Sequence, residues 1–363
     1  MSKSVYFHDY LKIGDKIWFS SININGLFSY DVKLEKFRLE AIFDKNDRKD
    51  IFMHMKLFEY KNKIMFVPFQ TRYIYVYDAN TSIMREYPIA LDDLETLYSY
   101  YMTGVQCGGK VYLLPCRSNQ ILEVNIETGE QKKIADIPED WGDSKLPYAH
   151  KAIDMYENKL VVAPFQKDFF ETIDIISGVR KRISINENYN GITHLQIYGD
   201  NLLLVGRNGK IGVHKWTGEC IQSAKLQSMK ESHKFYDITL KESKLYLTET
   251  DASKVALYNI KTNSISEITI PVGRDKQFAT FWGTTLFLKQ VSTDFIRLMS
   301  AYDGKLYLIN TDNNKIKEEK LICLEDTDYG ECFLNQTQGY ITEEYLDKVG
   351  IDTRKYIIKE MLQ

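Results

Sequence analysis

Seven apolar strands, each launched from a short turn by a single residue, predict an all-β fold. The expected architecture is a seven-bladed β-propeller of four-stranded antiparallel blades, followed by a short C-terminal helical tail. The launches are Lys16 in GDKIWF, Lys63 in KNKIMF, Lys110 in GGKVYL, Lys159 in ENKLVV, Asn201 in GDNLLL, Lys244 in ESKLYL and Thr285 in GTTLFL. They recur about every 40–50 residues, one blade per period. A second register runs in parallel. An Asp, Asn or His follows each launch before the turn from third to fourth strand: Asp31, Asp78, Asn125, Asp174, His214, Asn259 and Asn310. Five of the seven share one offset from their launch, that of Asp31 from Lys16; His214 and Asn310 depart from it. An Asx side chain there accepts a backbone amide two residues on and fixes the turn, so these positions read as structural.

Each blade follows the same order. The sixth reads KLYLTETDASKVALYNIKTNSISEITI: an apolar strand, a polar bend, an alternating strand, a turn and a last alternating strand. One more strand, such as HMKLFEY or HKAIDMY, precedes each launch and completes four. The fifth blade is two residues short. The seventh carries ten extra residues, assigned to Ser292–Ala301 between its second and third strands. Residues 1–330 are expected to form the propeller, with 331–363 a helical extension packed on it. In that tail Thr342 precedes Glu343 and Glu344 as at a helix start, and Thr353 to Leu362 is a second helical stretch.

Composition narrows the functional classes. With 47 basic and 50 acidic residues the net charge is −3, which gives no long-range pull toward nucleic acid or an anionic membrane. No stretch approaches the ~20 apolar residues of a membrane span. The N-terminus lacks the apolar run of a signal peptide. Five cysteines, an odd number with no CxxC spacing, indicate neither a disulfide framework nor a zinc site. A cytoplasmic location is the expectation. Aromatics at 13%, with 25 Tyr and 18 Phe, suit packed sheets.

Strand order places the candidate site. The launch turns and third-to-fourth turns share one face and are short. The other face carries the longer connections at 44–50, 90–99, 138–147, 227–234 and 271–277. Irregular loops on a rigid scaffold are where binding groups gather. The ends of the second strands converge there: Pro68-Phe69-Gln70-Thr71-Arg72, Pro115-Cys116-Arg117, Pro164-Phe165-Gln166-Lys167 and Gly206-Arg207. Gln70 and Gln166 are equivalent in the repeat. Arg72, Arg117, Lys167 and Arg207 are cationic donors suited to an anionic or hydroxyl-rich ligand. Trp141 and Tyr101 add aromatic surface.

Three histidines fall near the start of first strands: His54 and His150 at one offset before their launches, and His194 two positions closer to its own. Imidazoles around a central funnel can hold a divalent metal that polarises a substrate oxygen. The commoner role of a strand-end histidine is a hydrogen bond to a neighbouring blade. Tyr101 takes the equivalent position in the third blade and is the candidate acid or base.

The repeats resemble seven-bladed propellers of the WD40, kelch and YVTN-like kind over residues 5 to 325. No blade carries the GH…WD pair, and Gly108-Gly109 is the single kelch-type double glycine. The chain is also similar to propeller lyases that hold a histidine-bound metal, in its first-strand histidines alone. Two functions are therefore expected in competition. One is a recognition module that binds a peptide, glycan or protein partner on the funnel face through Gln70, Arg72, Arg117, Gln166, Lys167, Arg207 and Trp141. The other is a metal-assisted lyase or hydrolase acting on a sugar or related anion, with His54, His150 and His194 as ligands and Gln166 as a fourth.

Overall fold

The computed structural model describes residues 7–21, 26–31, 33–34, 36–43, 53–91, 100–142, 149, 151–226, 235–249, 254–271, 286–290, 294–300 and 306–318. The tail at 331–363, His150 and most of the long connections lie outside them. Among the described residues there are seven four-stranded antiparallel sheets, the blades of a seven-bladed β-propeller. They divide between two compact units, one within residues 1–151 and the other within residues 152–321.

The first unit holds three blades. Blade 1 is β1 (Phe7–Ile13), β2 (Lys16–Ser21), β3 (Gly26–Asp31) and β4 (Lys36–Ile42). Blade 2 is β5 (His54–Tyr60), β6 (Lys63–Pro68), β7 (Tyr73–Asp78) and β8 (Ile83–Pro88). Blade 3 is β9 (Tyr101–Cys107), β10 (Lys110–Pro115), β11 (Gln120–Asn125) and β12 (Gln131–Asp136). A single 3-10 turn follows at Glu139–Trp141.

The second unit holds four. Blade 4 is β13 (Ile153–Tyr156), β14 (Lys159–Val162), β15 (Phe169–Asp174) and β16 (Arg180–Ser184). Blade 5 is β17 (Ile192–Tyr198), β18 (Asn201–Gly206), β19 (Lys210–His214) and β20 (Cys220–Lys225). Blade 6 is β21 (Phe235–Lys241), β22 (Lys244–Glu249), β23 (Lys254–Asn259) and β24 (Ser264–Thr269). Blade 7 is β25 (Leu286–Gln290), β26 (Phe295–Ser300), β27 (Leu306–Asn310) and β28 (Ile316–Glu318).

Six launches open second strands, as the repeat requires. The seventh is a correction. Leu286 begins the first strand of blade 7, and Phe295–Ser300 is its second strand rather than an insertion. Phe295 pairs with Asn310. That is the same pairing, at the same separation along the chain, as Lys16 with Asp31, Lys63 with Asp78, Lys110 with Asn125, Lys159 with Asp174 and Lys244 with Asn259. An apolar strand that follows Gly-Thr-Thr in the sequence reads alike at either position, and this misled the pattern. The Asx side chains act as turn clasps. Asp174 Oδ1, for example, accepts the amides of Ile176 at 3.0 Å and Ser177 at 2.8 Å.

Strand pairing stays within each sheet, so along the strands adjacent blades meet mainly through side chains. Apolar clusters fill the seams. Leu27, Phe43, Leu57, Phe66 and Tyr75 lie between blades 1 and 2. Phe170, Ile183, Leu195 and Leu204 do so between blades 4 and 5. Each fully buried aliphatic contributes roughly 1.5–3 kcal/mol. The central strands are the most buried and the fourth strands face outward, as in β8, where no residue is fully buried. Polar latches add register. Asp9 Oδ2 accepts the Leu57 amide at 3.0 Å, and Asp154 Oδ2 accepts the Ile197 amide at 2.8 Å. At the position equivalent to Asp9, Lys56 Nζ donates to the Gly104 carbonyl at 3.1 Å. Launch lysines serve the opposite end of the seam. Lys63 Nζ donates to the Glu127 carbonyl at 3.3 Å, and Lys244 Nζ to that of Thr311 at 2.6 Å.

Asp154→Ala strands the Ile197 amide in the seam. The expected cost is ~1–3 kcal/mol of stability, with Asp154→Asn recovering most of it because an acceptor remains. Urea midpoints for the three proteins provide the check. Equal midpoints would show that the latch contributes nothing.

Candidate functional site

The second-strand ends are built alike in both units. The strand closes, and the next amide turns back to the residue ahead of the first strand. Phe69 N donates to the Met53 carbonyl at 2.8 Å, Cys116 N to that of Tyr100 at 2.8 Å, and Arg207 N to that of Gly191 at 3.0 Å. The loop then receives the next blade. Phe69 O accepts the Tyr100 amide at 2.9 Å, and Pro164 O accepts the Ile192 amide at 3.1 Å. The loops at Phe69 and Pro164 are thus bonded on both sides, and those at Cys116 and Arg207 to the segment ahead of their own first strand.

In the first unit Arg72 is exposed, while Gln70 and Arg117 are half-buried. Burial pushes the neighbouring Cys116 thiol up to about 12, and the Arg117 charge only partly offsets this. Cys116 is therefore a packing residue and not a nucleophile. Tyr101 and Trp141 differ from expectation, as both are fully buried. Tyr101 donates its hydroxyl to the Gln120 carbonyl at 3.1 Å, and burial raises its pKa well above the usual phenol value. It locks two strands of blade 3 and does not fit an acid–base role. Trp141 sits in the 3-10 turn with its ring enclosed, so it offers no stacking platform.

The second unit gathers its predicted residues more closely. The Arg207 guanidinium lies over the Phe165 ring at 4.7 Å, a cation–π contact. Burial lowers its pKa, which still leaves it charged at neutral pH. Gln166 is half-buried and Lys167 exposed on the same loop. Asp168 Oδ1 accepts the Gly191 amide at 2.8 Å. Gly191 has φ of +90°, and a Cβ there would meet the Phe165 carbonyl at 1.9 Å. Only glycine lets the two loops close together. The result is a junction with Arg207 over an aromatic ring at its edge.

The histidines occupy enclosed places. His54 Nδ1 hydrogen-bonds Ser20 Oγ of blade 1 at 3.1 Å. Its ring is boxed by Phe43 at 4.4 Å, Phe66 at 5.2 Å and Tyr75 at 5.5 Å. His194 is buried, with Nδ1 3.0 Å from Thr193 Oγ1. Among the described residues no group of three His, Cys, Asp or Glu side chains could hold a metal. A dication placed in the aromatic box of His54 would meet no carboxylate there, so the surroundings of this imidazole do not fit a metal. His150 lies outside the described residues.

Sequence reading missed the latch aspartates Asp9 and Asp154. Their signal was an acid shortly before the launch in blades 1 and 4, repeated as Asp237 in blade 6.

Comparison with known proteins agrees with the architecture. The fold is similar to virginiamycin B lyase from Staphylococcus aureus, with TM-score 0.63 and 17% identity over 84% of this chain and 94% of that one. It is similar to Hsv2 of Kluyveromyces lactis, with TM-score 0.57 and 10% identity over 87% and 98%. A chain of a mitotic checkpoint complex gives TM-score 0.57 and 9% identity over 88% and 87%. Likeness at these identities shows the propeller fold alone. No model of a protein family matches the chain, and no curated protein does. Among the described residues no helix is long and apolar enough to cross a membrane.

The box around His54 has a measurable consequence. Burial holds its pKa down to about 3, against an ordinary 6.5. The unfolded chain therefore takes up the proton first as pH falls. Stability from the neutral ring is complete above pH ~6.5 and is lost progressively toward pH ~3. A shift of this size corresponds to on the order of 4–5 kcal/mol. His54→Phe should flatten the fall in denaturation midpoint between pH 7 and 4. Identical pH slopes in the two proteins would contradict the assignment.

Proposed function

We propose that the chain is a recognition module whose second-strand ends bind a carboxylate-rich peptide or protein partner. The observation that carries this is the Arg207 guanidinium over the Phe165 ring at 4.7 Å, in a junction fixed by backbone hydrogen bonds. A guanidinium held over a ring has less rotamer freedom to lose on binding. Its fork also matches a carboxylate. Exposed Lys167 and half-buried Gln166 extend the same edge with a second cation and an amide. Arg72 and Arg117 repeat the chemistry at the equivalent loops of the first unit. The likeness to Hsv2 and to a chain of a checkpoint complex is compatible with partner binding but, at such identity, does not carry it.

The test uses a fluorescent glutamate-rich peptide and the full-length protein. Arg207→Ala should weaken binding about tenfold or more, the scale of one lost charge-assisted pair. Arg207→Lys should restore little, because the ammonium lacks the fork and the stacking. Affinity should fall as salt rises. Binding that survives Arg207→Ala combined with Lys167→Ala would remove this surface from the account.

A further inference from the structure

A second cluster of titratable groups lies on blade 5, behind the Arg207 junction. Tyr189 comes from the linker between blades 4 and 5 and is fully buried. Its hydroxyl is 2.6 Å from His214 Nε2. His214 Nδ1 is 3.2 Å from the Gly218 carbonyl, which can only accept. Nδ1 therefore carries the proton, Nε2 offers its lone pair, and Tyr189 donates to it. The fit is close. A Cβ at Gly212 would come within 2.0 Å of the Tyr189 hydroxyl.

The residues either side of Tyr189 build the junction. Asn188 O accepts Asn208 Nδ2 at 3.0 Å, Tyr189 O accepts the Asn208 amide at 3.3 Å, and Gly191 bonds both Asp168 and Arg207. We propose that the Tyr189–His214 pair is a proton-controlled pin for the anion-binding junction, holding the 188–191 loop, and with it Arg207, most firmly while His214 is neutral. The binding half of this rests on the proposed function. The pin itself does not.

The surroundings leave His214 as the group that changes. Glu187 on the linker is ion-paired with Lys210 on β19, and Lys210 also lies over the Tyr189 ring at 5.6 Å. Lys210 keeps Glu187 below the usual carboxylate range, so the pair stays charged in mild acid. Cys220 on β20, Tyr258 on β23 and Tyr189 are all pushed up, mainly by burial, and stay neutral. The Asp168 charge faces Tyr189 from the β14–β15 loop. Burial lowers the pKa of His214 from its ordinary 6.5, with Glu187 opposing and Lys210 assisting. A depressed value means the pinned loop is favoured at neutral pH and loses ground as pH falls below ~6.5. Protonated Nε2 becomes a donor to the Tyr189 oxygen, so the bond reverses and the buried tyrosine proton loses its acceptor, which weakens the pin.

Amide hydrogen exchange of the full-length protein between pH 7.5 and 4.5, corrected for intrinsic rates, reads the pin directly. The Gly191 and Arg207 amides should be protected at pH 7.5 and exchange about tenfold faster or more at the acid end. Tyr189→Phe should give the fast exchange already at pH 7.5. His214→Gln, whose amide can still accept from Tyr189 and donate to Gly218 but does not titrate, should stay protected throughout. Should Tyr189→Phe not fold, wild type against His214→Gln decides alone. Equal pH profiles for those two would overturn the pin, as would protection unaffected by Tyr189→Phe. The glutamate-rich peptide separates the two ideas. Exchange as described with no peptide bound at any pH supports the pin and overturns the binding reading.

Discussion

Each blade is organised around its central hairpin, in which the residue opening the second strand pairs with the residue closing the third. Six of the seven blades keep this pairing at one constant separation along the chain. The constraint works at both ends. At one end the Asx side chain caps its own turn, which fixes where the fourth strand begins. At the other, strand length is used up, and the chain leaves the sheet at a set height. That exit is where Arg72, Arg117, Lys167 and Arg207 project or pack. Blade 5 departs from the rule and is shorter. It replaces the Asx clasp with His214, and Tyr189 enters the same blade to meet that histidine. The irregular blade is thus the one that carries the proposed pin.

Between blades, side chains do what hydrogen-bonded ladders do within them. The apolar clusters supply most of the adhesion, and a few polar groups set the register. Asp9 and Asp154 reach a backbone amide of the next first strand, and Lys63 and Lys244 reach a carbonyl of the next turn. Each such contact satisfies a main-chain group that the sheet leaves over at its seam. Losing one partner therefore costs more than the bond itself is worth. His54 belongs with these contacts, since its hydrogen bond to Ser20 also crosses a seam.

The architecture was legible because the repeat samples the same physics seven times. Turn, apolar strand and Asx recur with little drift, so strand starts could be placed from spacing alone. Blade 7 was misread because an apolar strand after a turn looks the same in first or second place, and only the pairing of Phe295 with Asn310 separates them. The placement of the arginines and of Gln166 just beyond the second strands was legible, because it follows directly from strand ends. The placement of His54, Tyr101 and His194 was not. Counting alternate residues back from the launch assigns a face only if the strand is regular. Register shifts interrupt β5 between His54 and Leu57 and β17 between Ile192 and His194. A bulge moves every residue beyond it to the other face, and nothing in these sequences marks one. Trp141 was misplaced for another reason. A tryptophan in a polar stretch reads as exposed until the turn that buries it is seen.

The claim on which the rest depends is that one hairpin register governs six of the seven blades, including the seventh. Backbone NOEs measured by NMR between β25 and β26, and between β26 and β27, test it most directly. Cross-strand contacts pairing Leu288 with Leu298, and Leu298 with Tyr307, are the result the account predicts. Contacts joining Leu286–Gln290 directly to Leu306–Asn310, with Phe295–Ser300 looped out between them, would contradict it.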